Sequence, residues 1–166
     1  MARKYRVIDS PIGDLTLTGD ERALAGLYFA GHVRLPQADS FGSSDDRAFA
    51  EAVEQLAEYF AGARTTFRLA LAPKGNDFQQ RVWAKLIEIP YGQTRTYGQL
   101  ADELGGPGLA RAVGAANGQN PLSIIVPCHR VVGSTGKLTG YAGGLERKAY
   151  LLDLETPAEN RVNSLF

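Results

Sequence analysis

The periodicity of the apolar residues changes at Pro73-Lys74-Gly75, and this change constrains the fold more than any other feature of the sequence. Beyond this point apolar residues recur at the spacing of helices. Before it, apolar and polar residues alternate in short runs separated by turn formers, at 5–8, 15–18 and 24–29. Alternation of this kind predicts an antiparallel sheet. We therefore predict an α+β protein with two domains, residues 1–75 and 76–166.

The first domain is predicted to contain a helix as well as the sheet. Four apolar residues recur at helical spacing after Asp46, and Gly62 ends the pattern; they are Phe49, Val53, Leu56 and Phe60. The polar segment 36–46 predicts a loop. The run from Thr66 to Leu71 predicts one more strand of the same sheet.

The second domain is predicted to be mostly helical. Asn76 with Gln79, and Thr96 with Gln99, have the spacing of capping boxes at helix starts. Two short helices on either side of the glycine-rich turn 105–108 form a helix-turn-helix candidate. A hairpin-like stretch is predicted at 131–138 and a last helix at 145–155, followed by a poorly structured tail. Helix-turn-helix packing also occurs in proteins that never bind DNA, so this motif alone assigns no function.

Composition and charge exclude several classes of function. A single cysteine cannot form an internal disulfide or a multi-cysteine zinc site, and it has no second thiol for a redox cycle. Basic and acidic side chains number 18 each, although residues 76–150 carry eight basic and five acidic ones. No run approaches the roughly 20 apolar residues of a membrane span, and no secretory signal is evident. We expect a cytoplasmic protein without a membrane partner.

Cys128 is the residue with the most informative surroundings. His129 and Arg130 follow it, and positive charge or a neighbouring base lowers the pKa of a thiol toward the reactive thiolate. Adjacent residues of an extended chain point in opposite directions, so Cys128 and His129 need a turn or a bridging water to communicate. Glu155 is the best acidic candidate to orient the histidine, because it ends an apolar helix that must pack on the core, although spacing alone does not choose it over Glu146 or Asp153. A buried inert thiol and a solvated helix end are the alternatives.

The second helix of the helix-turn-helix is built from small residues. Ala112 and Gly114 suit close approach to a DNA groove, and they equally suit tight packing between helices. Arg111 is the long side chain of this helix. Contact with a phosphate, insertion into a base stack and a plain surface charge all fit its position.

Several motifs together resemble the O6-alkylguanine-DNA alkyltransferases, also called methylated-DNA–protein-cysteine methyltransferases. They are the Pro127-Cys128-His129-Arg130-Val131 signature, Asn120-Pro121 before it, the Arg111-Ala112-Val113-Gly114 helix and Gly140-Tyr141 after it. The resemblance covers nearly the whole chain and is strongest from Asp77 to Glu155. It implies a ribonuclease H-like N-terminal domain and a C-terminal domain of the winged-helix type that holds the active site.

The resemblance also assigns roles to individual residues. Cys128 matches the nucleophile that accepts the alkyl group, His129 the base that reaches it through water, and Glu155 the carboxylate that orients the histidine. Asn120 matches the asparagine that holds the active-site turn. The base and the DNA are contacted at positions that match Tyr97, Arg111, Ala112, Gly114, Tyr141 and Gly143, with Arg111 filling the vacated stack. Ala142 occupies a position that varies in the family.

The implied activity is direct repair without a cofactor or a metal. Each chain would flip O6-alkylguanine, or O4-alkylthymine, out of duplex DNA and take its alkyl group irreversibly onto Cys128. We expect no N-terminal metal site, because His32 is the only histidine there and no cysteine precedes Cys128. We also expect a monomer, with clustering on DNA left open.

Two other classes of protein fit parts of the pattern. A helix-turn-helix regulator without catalysis would keep its activity when Cys128 is replaced by alanine. A thiol hydrolase that uses cysteine, histidine and glutamate would turn over many times and form no stable thioether. Neither explains the helix-turn-helix and the cysteine signature together.

Overall fold

The structure of the chain is a computed structural model that describes residues 2–32 and 35–157. Its elements in these ranges are β1 (Lys4–Ile8), β2 (Leu15–Gly19), β3 (Leu24–Phe29), β4 (Ser43–Ser44), α1 (Ala50–Phe60), α2 (Asp77–Ile87), β5 (Arg95–Thr96), α3 (Tyr97–Leu104), α4 (Ala110–Gly118), β6 (Val131–Val132) and α5 (Leu145–Glu155). The predicted α+β class is confirmed. Most of the tail, for which we predicted little structure, lies outside the described residues.

The N-terminal sheet is mixed rather than purely antiparallel. Its strand order is β3-β2-β1-β4, and the pairs β1–β2 and β2–β3 are antiparallel as predicted. β4 pairs with β1 in parallel, within the segment 36–46 that we predicted to be a loop. Its two serines are exposed and show no alternation of apolar and polar residues, so the sequence carried no signal for this strand.

The predicted strand from Thr66 to Leu71 is wrong. The segment meets β3 only at its end, where the Leu24 amide donates to Ala70 and the Ala72 amide donates to Leu24, at 3.0 and 2.8 Å. Farther along the same edge, the Leu27 amide donates to the carbonyl of Pro121 at 2.8 Å. The edge of β3 is therefore shared between two segments, and one of them leads directly to Cys128.

Helix α1 covers the sheet and begins later than its apolar pattern suggested. It begins at Ala50 rather than near Asp46, because Phe49 before it has a left-handed backbone with φ of 57°. Its buried face carries Leu56 and Tyr59. Gly62 follows the helix with φ of 78°, as expected of a residue that ends a helix.

The two helix starts predicted after Pro73-Lys74-Gly75 are confirmed in atomic detail. The side chain of Asn76 accepts from the Gln79 amide and that of Gln79 accepts from the Asn76 amide, both at 2.8 Å. Thr96 and Gln99 form the same reciprocal pair at the start of α3. Each pair satisfies two amides that the first turn of a helix leaves free.

Helices α3 and α4 form the predicted helix-turn-helix around a turn that contains Gly105 and Gly106, with φ of 144° and 145°. Helix α2 is fixed to α4 by a hydrogen bond of 2.9 Å from the Trp83 indole to the carbonyl of Ala116. The short strands β5 and β6 pair in parallel, so only the turn closed by Gly133 and Lys137 is left of the predicted hairpin.

A single apolar core joins the two parts of the chain. It includes Leu27 of β3, Leu56 of α1, Leu86 of α2, Leu100 of α3 and Leu151 of α5, each at most 1% exposed. No helix in the described ranges is long and apolar enough to cross a membrane.

Candidate active site

The segment that presents Cys128 is wound tightly around the side chain of Asn120. Asn120 Nδ2 donates to the carbonyl of Val126 at 2.8 Å, and Asn120 Oδ1 accepts from the amide of Leu122 at 2.9 Å. Between them, Ile124 has a φ of 74°, a left-handed conformation that is rare for a β-branched residue. Asn120 therefore holds the turn before the cysteine, at the position that the resemblance implied.

Cys128 begins a 3-10 turn over Cys128–Arg130 and is 4% exposed. Burial raises the pKa of its thiol above the usual 9.0. The side chains of Asn120 and Ser123 and the positive charge of Lys148 lower that pKa without offsetting the burial. The thiol is therefore protonated at neutral pH, and a base has to take its proton before the sulfur can attack.

Glu155, the last residue of α5, forms hydrogen bonds with three side chains from other parts of the chain. Its Oε2 accepts from Tyr59 Oη at 2.5 Å, and the same oxygen lies 2.7 Å from His129 Nε2. Arg130 spans both carboxylate oxygens, with Nε 2.8 Å from Oε1 and Nη2 3.0 Å from Oε2. Because the carboxylate is 2% exposed, these bonds are shielded from water.

The charge of Glu155 is fixed by these neighbours. Burial raises its pKa, but the hydrogen bond from His129 and the ion pair with Arg130 outweigh it and hold the pKa at about 2. The remaining Arg130 donor, Nη1, is bound by the carbonyl of Ile89 at 2.7 Å. The carboxylate is thus ionised, and its positive partner is the buried arginine.

The ionised carboxylate determines the tautomer of His129. Burial lowers the histidine pKa, in spite of the opposing effect of Glu155, so the ring is neutral at neutral pH. A carboxylate accepts hydrogen bonds only, so Nε2 carries the proton. Nδ1 then keeps its lone pair, and it is buried without a hydrogen bond partner among the described residues. His129 thus has the free lone pair that a base needs, and it directly follows Cys128 in the chain.

Tyr59 and Arg130 were not identified from the sequence as site residues. Tyr59 lies on α1, 96 residues before Glu155, and no spacing rule connects the two. Arg130 was named as a source of positive charge for the thiol, whereas its charge is bound by Glu155. Both findings depend on long-range packing, which only the fold reveals.

A cavity of about 240 Å³ lies between the helix-turn-helix and the loop that precedes α5, and Cys128 is not among the residues that line it. Asn117 lines the cavity. Its Nδ2 lies 3.4 Å from the carbonyl oxygen of Cys128. The residues that line the cavity are Tyr97, Gly114, Asn117, Gly118, Gly140, Tyr141 and Ala142. The structure therefore brings together Tyr97, Gly114 and Tyr141, three of the residues expected to contact the base.

Two tyrosines line the cavity. Tyr97 Oη accepts a hydrogen bond of 3.2 Å from Thr139 Oγ1, which joins the start of α3 to the loop. Tyr141 Oη is buried, and burial raises its pKa well above 10, so the phenol stays protonated. The Tyr141 hydroxyl is therefore a neutral hydrogen-bond donor.

Lys148 on α5 is a further site residue that the sequence did not reveal. It is fully buried, and its Nζ donates to the carbonyl of Thr139 at 2.6 Å. Burial lowers its pKa to about 8, while the nearby Cys128 thiol acts in the opposite direction. Lys148 thus fixes the loop that forms one wall of the cavity.

The other residues expected to contact the DNA or the base are Arg111, Ala112 and Gly143, and they lie in different surroundings. Arg111 and Ala112 are exposed on α4, on the outer side of the helix-turn-helix. Gly143 is buried against the ring of Phe29, where a side chain would collide, and it is not part of the cavity wall. Its place explains how the loop can lie against β3.

Within residues 2–32 and 35–157, no group of three histidine, cysteine or acidic side chains is arranged to hold a metal ion. His32 is 6% exposed, and its Nδ1 accepts from the Phe29 amide at 3.3 Å. Its pKa falls to about 4, chiefly through burial. His32 is therefore a neutral residue with a structural role just after β3.

Two family models and several relatives match the chain. The 6-O-methylguanine DNA methyltransferase ribonuclease-like domain matches residues 3–73, and the DNA binding domain of the same family matches residues 77–157. A methylated-DNA–protein-cysteine methyltransferase from Mycobacterium bovis is 56% identical over 151 residues, which are 91% of either chain. One from Methanosarcina acetivorans is 51% identical over 152 residues, 91% of this chain and 97% of that one.

The fold leads to the same family. The crystal structure of Mycobacterium tuberculosis OGT in complex with DNA matches with a TM-score of 0.88 and 55% identity, over 92% of each chain. An O6-methylguanine DNA methyltransferase from Methanococcus jannaschii matches with a TM-score of 0.63 and 25% identity, over 96% of this chain. The chain belongs to the O6-alkylguanine-DNA alkyltransferase family, as its sequence motifs indicated.

Proposed function

We propose that this protein repairs DNA directly, by moving the alkyl group of O6-alkylguanine onto Cys128 in a single irreversible step. The observation that carries the proposal is the buried Cys128, followed by a neutral His129 held by Glu155, with its carbonyl bound by Asn117 from the wall of a cavity formed by the helix-turn-helix. Family membership makes the protein a methylated-DNA–protein-cysteine methyltransferase with DNA as its partner. O4-alkylthymine is a second substrate of the same kind.

His129 activates the nucleophile. Its Nδ1 lone pair takes the thiol proton through a bridging water, and Glu155 stabilises the imidazolium that forms. The Cys128 thiolate then attacks the alkyl carbon in line, so that a carbon–sulfur bond forms while the bond from that carbon to O6 breaks. The electron pair of the broken bond goes to guanine. Asn120 keeps the sulfur in position by fixing the turn.

Tyr97 assists the departure of guanine. Its hydroxyl lies in the cavity wall and donates a proton or a hydrogen bond to the base as negative charge develops there. The thiol loses one proton and guanine gains one, so the reaction needs no cofactor. The thioether is stable, and no described side chain is placed to remove the alkyl group, so each molecule acts once.

The helix-turn-helix brings the base to the cavity. The small residues on the outer side of α4, Ala112 among them, allow close approach to a DNA groove, and Arg111 fills the place of the flipped base in the stack. Alkylation at O6 disturbs pairing, so a damaged base leaves the stack at a lower cost than an intact one. Gly114 and Tyr141 contact the flipped base, and Gly143 positions the Tyr141 loop against β3.

The chain would work as a cytoplasmic monomer with two domains, 1–75 and 76–166. The first domain supports the second and supplies Tyr59 to the carboxylate of Glu155. Whether several molecules cluster on DNA is a separate matter that titration of long duplexes would decide.

Transfer stoichiometry tests the proposal against its alternatives. Duplex DNA with a labelled methyl group on O6 of one guanine would be mixed with the wild type, Cys128→Ser and the exposed-site control Glu103→Gln. We expect one label per chain for the wild type and the control and none for Cys128→Ser. Release of free methanol over many turnovers would indicate a hydrolase instead, and binding without label transfer would indicate a regulator.

A further inference from the structure

The two oxygens of the Glu155 carboxylate are used unequally. Among the described residues, Oε2 accepts from Tyr59 Oη at 2.5 Å and from Arg130 Nη2 at 3.0 Å, and it lies 2.7 Å from His129 Nε2. Oε1 accepts from Arg130 Nε at 2.8 Å. Hydrogen bonds to a carboxylate make it a weaker base, so each donor on Oε2 weakens the attraction of that oxygen for the other two.

The hydroxyl of Tyr59 is fixed in this position and is uncharged. The side chain is fully buried, and its ring packs on the rings of Phe60, Phe67 and Tyr91, with centroids 5.4, 5.5 and 6.3 Å away. Burial, together with the neighbouring charge of Glu155, raises the pKa of the phenol far above 10. The hydroxyl is therefore a neutral donor at neutral pH and does not itself act as a base.

The ring of His129 uses the same oxygen in both of its charge states. Nε2 donates to Glu155 Oε2 when the ring is neutral, and this hydrogen bond strengthens when Nδ1 takes up a proton and the ring becomes charged. An oxygen that also accepts from Tyr59 attracts the charged ring less strongly. The Tyr59 hydroxyl thus favours the neutral ring, in which Nδ1 keeps its lone pair.

We propose that Tyr59 is a positioning residue for alkyl transfer, because its hydroxyl shares Oε2 of Glu155 with His129 and so helps to keep the imidazole neutral and ready to take the thiol proton. The inference rests on the proposed function, since it concerns the base of the same reaction. A plain cross-link between α1 and α5 would use the same hydrogen bond. It would not change the pH at which His129 titrates.

The test compares three altered forms of the full chain with the wild type. Tyr59→Phe removes only the hydroxyl, whereas 3-fluorotyrosine at position 59 keeps the hydroxyl and makes it a stronger donor. Tyr150→Phe is the matched control, at a site on α5 that is 38% exposed. The pKa of His129 is measured without DNA, by NMR titration of its ring nitrogens. Single-turnover methyl transfer to Cys128 is measured over the same pH range, with a saturating duplex that contains O6-methylguanine.

We expect Tyr59→Phe to raise the pKa of His129 by about one pH unit, the effect of about one hydrogen bond to an ionised group. The acid limb of the transfer profile should move to higher pH by the same amount. At pH 8.5 the rate should stay within about twofold of the wild type, because the ring is neutral in both proteins there. Fluorotyrosine should move the pKa and the acid limb to lower pH, and Tyr150→Phe should change neither.

Two results would overturn the inference. A transfer rate that falls equally at every pH in Tyr59→Phe, with an unchanged pKa of His129, would mean that Tyr59 only links α1 to α5. Shifts of the same sign in Tyr59→Phe and in the fluorinated protein would also overturn it, because the two changes alter the donor in opposite directions.

Two further outcomes remain decisive. If Tyr59→Phe does not fold, the fluorinated protein decides alone, and an unchanged pKa of His129 in that protein overturns the inference. Absence of methyl transfer by the wild type would overturn the proposed function, whereas the NMR titration would still show whether Tyr59 controls the charge of His129.

Discussion

Replacement of Glu155 by glutamine should destabilise the fold by an amount that depends on pH. The carboxylate accepts from Tyr59, His129 and Arg130, and its pKa is about 2 in the folded protein against 4.5 without these partners. That difference corresponds to about 3 kcal/mol of unfolding free energy. A folded-state pKa that is depressed contributes stability above pH 4.5, and the contribution is lost as the pH falls toward 2.

The assay is urea unfolding followed by the fluorescence of Trp83, the sole tryptophan of the chain. We expect Glu155→Gln to be less stable than the wild type by about 3 kcal/mol at pH 7 and pH 5, and by about half of that at pH 3. Glu103→Gln, an exposed acid on α3, serves as the control and should differ by less than about 0.5 kcal/mol throughout. A difference that stays constant from pH 7 to pH 3 would mean that ionisation of Glu155 does not contribute to stability.

Three further predictions concern the same site. Asn120→Ala should cost about 2–3 kcal/mol in urea unfolding, because it removes two buried hydrogen bonds; a loss below about 0.5 kcal/mol would contradict the role of the turn. Arg111→Ala should slow transfer from duplex DNA but not from the free base, without loss of stability, and equal slowing on both would exclude a role in flipping. Methylation of Cys128 by methyl iodide in the free protein should accelerate with pH beyond 9, since burial raises the thiol pKa; a plateau below pH 8 would contradict this.

The parts of the fold that the sequence predicted are those with local causes. Both capping boxes depend on side chains three residues apart, and the helix-turn-helix depends on glycines between two short helices. Neither needs knowledge of the rest of the chain. Local patterns of this kind survive folding because the groups that interact are already neighbours.

The parts that could not be predicted depend on contacts between distant segments. Residues 66–71 read as a strand, but Pro121 occupies the edge of β3 beyond Leu24, so the ladder ends after one bridge. Ser43–Ser44 joins the sheet without any apolar pattern. In each case, residues distant in the sequence determine whether the edge of the sheet is free to pair.

The candidate site likewise contains residues that the sequence identified and residues that only the structure reveals. Cys128 and His129 were found from a short motif, whereas the role of Asn120 and the pairing of His129 with Glu155 followed from a resemblance. The roles of Tyr59, Lys148 and Asn117 appear only in the structure. Each of these side chains is buried and polar, a combination that sequence patterns do not distinguish from an exposed helix face.

Intact-mass spectrometry after the protein meets duplex DNA with one O6-methylguanine would show whether Cys128 accepts the methyl group. We expect a gain of one methylene group per chain, mapped to Cys128 by peptide analysis, saturating at one and absent in Cys128→Ser. An unchanged mass in the wild type, with the duplex still bound, would contradict it and leave lesion binding without transfer.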